Sequence, residues 1–209
     1  MTVAPEGRAI VGGAFAVALA AAWFAGAASW PFGFAALAAV FTAQFFREPA
    51  RAVQVADNEI VSPADGRVVF IGRAQSPTGK DAVKVSVFMN VFNVHANRSP
   101  AAGRVLQSRR FPGAFFNAAL DKSSERNERH MIEIESALGA VACVQIAGLL
   151  ARRVFCYAKE GDILAGGERY GFIRFGSRAD LYLPPHLKPA VALGDSVVGG
   201  ITRIAAAES

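Results

Sequence analysis

The sequence predicts a mainly β protein, an antiparallel barrel or sandwich with a hydrophobic helical hairpin at its N-terminus. Three observations carry that expectation. No charged residue lies between Arg8 and Arg47. Beyond Arg51 the chain becomes a series of short β-type runs separated by Gly, Pro, Asp and Asn. The pattern Gly-Asp-x-x-x-Gly-Gly also occurs twice, at Gly161–Gly167 and Gly194–Gly200, each followed by a β-type run.

The apolar segment Ala9–Phe46 is too long for one bilayer crossing, which takes roughly 20 residues. It is interrupted by Trp30-Pro31. Proline lacks an N–H and disfavours helical geometry in the residue before it, so a turn is expected there, giving a helical hairpin. Trp23 and Trp30 are available as interface anchors. Arg8, Arg47 and Arg51 flank the hairpin ends, which puts those ends on the cytoplasmic side. The second arm is short, so a shallow or re-entrant hairpin competes with a spanning one. Ala25-Gly26-Ala27 also fits a signal-peptidase site, but the second apolar arm follows at once and the preceding region is poor in positive charge. The division expected is 1–50 for membrane attachment and 51–209 for a β-rich catalytic domain.

Within 51–209 the β-type runs are Arg67–Gly72, Val83–Val87, Ile132–Glu135, Ala140–Ile146, Arg153–Tyr157, Tyr170–Phe175 and Leu181–Leu183. In the second and third, apolar and polar residues alternate with a period of two. A single turn of helix is expected near Asn117–Leu120, and Asp121–Arg129 reads as a polar loop. The repeated glycine turns resemble those of lipoyl- and biotinyl-type barrel-sandwich domains, which suggests two related halves.

Composition narrows the chemistry. A net charge of +5 beside an apolar segment suits an anionic membrane surface. It is too small to argue for nucleic acid, and no nucleic-acid-binding signature is present. Cys143 and Cys156 sit in apolar runs without metal-ligand spacing, so they read as buried thiols; no metal is expected. Of three histidines, His130 and His186 read as surface residues. His95 lies in a polar segment after a strand, where catalytic groups are often placed. Asp65, in Ser62-Pro63-Ala64-Asp65-Gly66, and Ser177, in Phe175-Gly176-Ser177-Arg178, each read locally as ordinary turns. Taken alone, these residues leave open a serine hydrolase using Ser177, His95 and Asp65, or a non-enzymatic lipoyl-like adaptor. The adaptor would need a modifiable lysine in a matching turn, and none is seen.

Five segments together resemble the phosphatidylserine decarboxylase family in its short bacterial and archaeal form. They are Phe45-Phe46-Arg47-Glu48-Pro49, Ser62–Gly66, Asn93-Val94-His95-Ala96-Asn97-Arg98-Ser99-Pro100, Asn127-Glu128-Arg129 and Phe175–Arg178, in family order from about Phe45 to the C-terminus. The resemblance implies a pyruvoyl-dependent, self-cleaving proenzyme. His95, oriented by Asp65, would take the proton of Ser177, whose oxygen would attack the carbonyl of Gly176. The products would be a β chain, 1–176, and an α chain, 177–209, with Ser177 converted to a covalent pyruvoyl group. That group would be the cofactor for turning phosphatidylserine into phosphatidylethanolamine and CO2 in phospholipid biosynthesis. The implied partners are phosphatidylserine, the membrane surface and the two chains of one precursor; a homo-oligomer is compatible with this. Arg98 and Arg129 are candidates for the headgroup phosphate on chemical grounds. Some longer family members carry a second histidine three residues before the one matching His95; here that residue is Phe92.

Overall fold

The uncharged N-terminal segment forms two helices, α1 (Arg8–Ala25) and α2 (Trp30–Phe45), after a 3-10 turn at Pro5–Gly7. The computed structural model describes residues 1–114, 127–148, 153–174 and 176–207, and it divides into two units, 1–51 and 52–209. In the first unit the reversal falls earlier than Trp30-Pro31. Gly26 takes φ 86°, a left-handed value open to glycine, and closes α1 through its N–H to the Ala22 carbonyl (3.0 Å). Pro31 instead lies in the first turn of α2, where its missing N–H costs no hydrogen bond. Two short strands, β1 (Thr2–Val3) and β2 (Arg47–Glu48), pair antiparallel and tie together the open ends of the hairpin. α1, with the preceding turn, is long and apolar enough to cross a bilayer; α2 is shorter. Trp23, Phe24, Trp30, Phe34 and Leu37 are all exposed.

The second unit is built from strands. In chain order they are β3 (Glu59–Val61), β4 (Gly66–Gln75), β5 (Asp81–Met89), β6 (Ala96–Arg98), β7 (Gly103–Phe111), β8 (Arg129–Ser136), β9 (Gly139–Ile146), β10 (Val154–Cys156), β11 (Ile163–Leu164), β12 (Arg169–Ile173), β13 (Ser177–Leu183), β14 (Ser196–Val197) and β15 (Arg203–Ala206). Eight form one antiparallel sheet in the order β11-β7-β8-β9-β13-β5-β4-β14. It curls into a half-barrel, so the mainly β expectation holds. β10-β12-β6 and β15-β3 make two smaller sheets. Alternation sends Val85, Val87, Ile132, Ile134, Cys143, Ala179 and Leu181 to the main core. Met131, Ala142, Val144, Ile146 and Tyr182 pack on the opposite face. The expected turn near Asn117–Leu120, most of the loop Asp121–Arg129, and Phe175 lie outside the described residues.

The internal repeat is larger than the two glycine turns. Asp162 and Asp195 each accept a backbone N–H three residues back, from Lys159 and Ala192 (both 2.8 Å). Gly161 donates to Val105 O and Gly194 to Val68 O, again both at 2.8 Å. Ser62-Pro63-Ala64-Asp65-Gly66 has a counterpart in Ser99-Pro100-Ala101-Ala102-Gly103. Each serine hydroxyl donates to the carbonyl two residues on, Ala64 or Ala101 (both 2.7 Å). β4 and β7, which follow these turns, each carry a bulge two residues in. Gly66 and Gly103 lie so close to the Phe88 and Glu135 carbonyls that any Cβ would collide with them.

Two further expectations change. Ser177 is not in a turn between strands; it is the first residue of β13, flanked on one side by β5 and fully buried. The polar residues after it disguise the strand, as their partners are distant in sequence. His130 is half-buried rather than at the surface. Its Nε2 meets Ser108 Oγ at 2.9 Å, and burial first, then Arg110, lowers its pKa, which keeps it neutral. Cys143 and Cys156 are free thiols. Burial pushes them up to about 12 and about 11, which removes thiolate chemistry near neutral pH.

Candidate active site around Ser177

β6 is the element from which the candidate site is built. Its backbone pairs with β12, which runs on towards Gly176 and Ser177. Immediately before β6, the His95 carbonyl accepts the Ile173 N–H (3.2 Å). At its end the Arg98 N–H donates to Pro63 O (2.9 Å), which fixes the turn that carries Asp65. Segments remote in sequence, around residues 65, 95 and 173, are thereby joined through one short strand.

The His95 ring is fully buried and lies 6.3 Å, centroid to centroid, from the Phe172 ring. Its Nδ1 sits 3.0 Å from the Asn93 carbonyl. A carbonyl only accepts, so the proton is assigned to Nδ1, and Nε2 is left as the basic nitrogen. Asn90 and Asn93 shape the preceding loop. Asn93 Oδ1 accepts from Asn90 N (2.9 Å), and Asn90 Oδ1 accepts from Phe92 N (2.8 Å). Asp65 is half-buried, and its Oδ1 accepts the Gly199 N–H at 2.8 Å. The matching turn has Ala102 at this position and folds in the same way, so the turn itself does not require a carboxylate.

Gly176 takes φ 57°, a left-handed value, and among the described residues beyond its chain neighbours no heavy atom lies within 4 Å of where a Cβ would stand. Its glycine requirement is therefore conformational rather than steric. Ser177 Oγ donates to the sulfur of Met89 (3.3 Å), the residue directly opposite it on β5, rather than to His95. Asn97 Nδ2 approaches the same sulfur at 3.9 Å, and Asn97 Oδ1 accepts from Gln145 Nε2 (2.8 Å). Met89, Asn97 and Gln145 are fully buried. Sequence reasoning missed all three as members of the site; only Asn97 lay within a segment that drew attention.

The two candidate phosphate ligands are occupied elsewhere. Arg98 Nη1 donates to Gly167 O at 2.9 Å, and its Cδ lies where a Cβ on Gly200 would stand, so the side chain packs against both repeated glycine turns. Arg129 lies 4.7 Å from the Phe111 ring centroid. Directly opposed residues share a face, and Arg129 and Arg178 both oppose Ile146. Arg129 is therefore on the face of the sheet opposite the Ser177 side chain. Asn127 is fully buried and donates to Ala147 O (2.7 Å). Arg178 Nε lies 2.8 Å from Asp180 Oδ1, and Lys84 Nζ lies 3.1 Å from Asp180 Oδ2, in a buried ion cluster on β13 and β5. Among the described residues, no group of three or more His, Cys, Asp or Glu side chains could hold a metal ion.

Comparison with known proteins agrees with the segments that drew attention. The model of the family described as phosphatidylserine decarboxylase matches residues 38–205. A phosphatidylserine decarboxylase proenzyme of Ralstonia nicotianae is 50% identical over 206 residues, covering 97% of this chain and 94% of that protein. The proenzymes of Ralstonia pickettii and Paraburkholderia xenovorans are 51% and 48% identical, each over 97% of this chain and over 94% and 96% of their own lengths.

Proposed function

The chain belongs to the phosphatidylserine decarboxylase family, and on that premise we propose that it cuts itself between Gly176 and Ser177 and, as two chains, decarboxylates phosphatidylserine to phosphatidylethanolamine. The observation that carries the reading is the setting of Ser177. It is a fully buried hydroxyl at the head of a strand, directly after a left-handed glycine. A serine hydrolase would need that hydroxyl open to an external substrate. A self-cutting chain needs only its own preceding carbonyl.

In this reading His95 Nε2 takes the Ser177 proton and the oxygen attacks the Gly176 carbonyl. The C–N bond breaks and the acyl group passes from nitrogen to oxygen. Removal of the Ser177 Cα proton then expels the Gly176 carboxylate and leaves a dehydroalanine, which takes up water and releases ammonia. Asp65 stabilises the protonated imidazole through its charge, while the Asn93 carbonyl holds the ring at Nδ1. A pyruvoyl group fits position 177 at the head of a strand; the burial that shuts out an external substrate belongs to the uncut chain, and the substrate amine reaches the group only after the cut has released Gly176. Once formed, the group supplies an electrophilic carbonyl for the substrate amine and a sink for the electron pair left when CO2 departs.

For the headgroup phosphate we keep Arg98 and Arg129 as the candidates, on the chemistry of the guanidinium group alone. The direct test of the reading is intact mass and a decarboxylation assay on the purified protein. The expected result is two chains, 1–176 and 177–209, the smaller with a blocked N-terminus, together with CO2 released from phosphatidylserine.

The repeat gives a sharper test of Asp65. In Asp65→Ala the turn should persist, as it does with Ala102, although the hydrogen bond from Gly199 goes with the carboxylate. A loss of about 1 kcal/mol lowers Tm by about 2–4 °C in a chain of this size. Self-cleavage should slow by about 100-fold or more. A variant that cuts at the normal rate would remove Asp65 from the mechanism.

We assign membrane attachment to the exposed apolar faces of α1 and α2, with the catalytic unit on the cytoplasmic side. The acyl chains of the substrate remain in the bilayer, and extracting them would expose large apolar areas to water. A chain lacking residues 1–50 should still cut itself, since Asp65, His95 and Ser177 lie beyond the deletion. It should lose activity on vesicles by about tenfold or more while acting on a short-chain, detergent-dispersed substrate. That magnitude corresponds to loss of even a small part of the apolar anchoring energy.

A further inference from the structure

We propose that the sulfur of Met89 is a latch on the Ser177 hydroxyl that slows self-cleavage, an inference that rests on the self-cutting reading above. Met89 closes β5 and stands directly opposite Ser177 in the ladder, so the two side chains share a face. The hydroxyl donates to the sulfur at 3.3 Å. Behind the sulfur, Asn97 and Gln145 form a buried polar chain that ends on the Phe155 carbonyl, accepted from Gln145 Nε2 at 3.2 Å. The sulfur is therefore held in place, and its contact with position 177 belongs to the folded site.

The chemistry of the contact sets its effect on rate. A thioether accepts a hydrogen bond but has no proton to give. The contact exists only while Ser177 carries its hydroxyl hydrogen. When His95 takes that proton and the oxygen closes on the Gly176 carbonyl carbon, the oxygen has nothing left to donate to sulfur. Met89 thus stabilises the ground state and not the transition state, and such an interaction raises the barrier. In addition, the proton must turn from sulfur to His95 before transfer. A carboxylate or carbonyl in the same place would hold the hydroxyl more tightly and block the cut; a methylene would not hold it at all. Sulfur gives a weak hold that still releases.

The experiment exchanges the sulfur without changing shape. The chain has three methionines, Met1, Met89 and Met131. In a Met131→Leu background, cell-free synthesis is run with methionine, norleucine or selenomethionine, and conversion of the full-length chain to 1–176 and 177–209 is timed on a denaturing gel. Norleucine keeps the side-chain length and removes the acceptor; selenomethionine keeps an acceptor. Norleucine should speed cleavage by about three- to tenfold, the range expected for losing one weak hydrogen bond from the ground state only. Selenomethionine should cut within about twofold of methionine. Met89→Leu, which keeps the volume approximately, should shift the rate in the same direction as norleucine. Equal or slower cleavage with norleucine overturns the latch. A selenomethionine rate that matches norleucine also overturns it, since shape and not the acceptor would then set the rate. A methionine chain that never cuts after Gly176 overturns the self-cutting reading itself, which is a separate outcome.

Discussion

Ser177→Ala should accumulate as a single uncut chain with no decarboxylase activity. The substitution removes one buried hydroxyl whose hydrogen bond among the described residues is the weak one to the Met89 sulfur, so the fold should survive it. Losing that contact costs well under 1.5 kcal/mol, and Ala fits wherever Ser fits at the head of β13. The chemical loss is absolute by comparison. Without Oγ no ester can form between residues 176 and 177, and without the ester neither the cut nor the pyruvoyl group can follow. Cleavage and activity should therefore vanish together, while Tm stays within a few degrees of an uncut reference. In the parent protein the 33 residues after Gly176 in a chain of 209 should run as a separate small band. Ser177→Cys keeps a nucleophile on the same carbon and should still cut, more slowly or with a different terminus. An active, full-length Ser177→Ala chain would end the pyruvoyl reading.

Much of the fold was legible because long strands leave a periodic trace. Val83, Val85 and Val87 alternate with polar residues, as do Ile132 and Ile134, and these became β5 and β8. The two helices followed from an uncharged segment, although the position of the reversal did not. Pro31 is compatible with a break or with a first helical turn, and the left-handed Gly26 decided between them. β6 was invisible, since three residues cannot display a period. The second Ser-Pro-Ala-x-Gly turn at Ser99–Gly103 was readable in principle. Its signal was a repeat with one position changed, and that change is Asp65 against Ala102.

The site divides along the same physical line. Asp65, His95 and Ser177 are reached through the resemblance of their segments to a family, since Asp65 and Ser177 alone read as ordinary turns and His95 as one residue of a polar loop. Met89 could not be reached this way, because a methionine at the end of an apolar strand looks like core until the pairing register sets it opposite Ser177. Gln145 and Asn97 are 48 residues apart and meet only through the sheet. Arg178 and Asp180 argued against a buried strand in the sequence, since charged residues are rarely buried unless paired. Their partner Lys84 is almost a hundred residues away, and the pairing appears only in three dimensions.

That ion cluster gives the largest expected effect on stability. Asp180 and Arg178 are buried on β13, which has β9 on one side and β5 on the other; Lys84, on β5, is nearly buried as well. Asp180 lies between the two cations, with Lys84 Nζ at 3.1 Å, Arg178 Nε at 2.8 Å and Arg178 Nη2 at 3.1 Å. Asp180→Leu leaves both cations in a low-dielectric setting without this carboxylate. Removing one partner of a buried pair costs about 3–5 kcal/mol. Against a total of about 5–15 kcal/mol for a domain, that is a large share. At about 2–4 °C per kcal/mol for a chain of this size, Tm should fall by about 6–20 °C. Replacing the cluster together, as Asp180→Leu with Lys84→Met and Arg178→Met, should recover much of the loss, since no charge is then stranded. The effect should be greater after maturation. In the proposed two-chain form, cut after Gly176, Arg178 and Asp180 would belong to the small chain and Lys84 to the large one, so the cluster would become a tie between chains. β13, β14 and β15 of the small chain still pair with β5, β9, β4 and β3 of the large one. An Asp180→Asn protein that manages to cut should therefore release its small chain at a lower urea concentration than the parent, as read by size-exclusion chromatography. Release at the same urea concentration, with an unchanged Tm, would show that the strand pairing alone holds the two chains together.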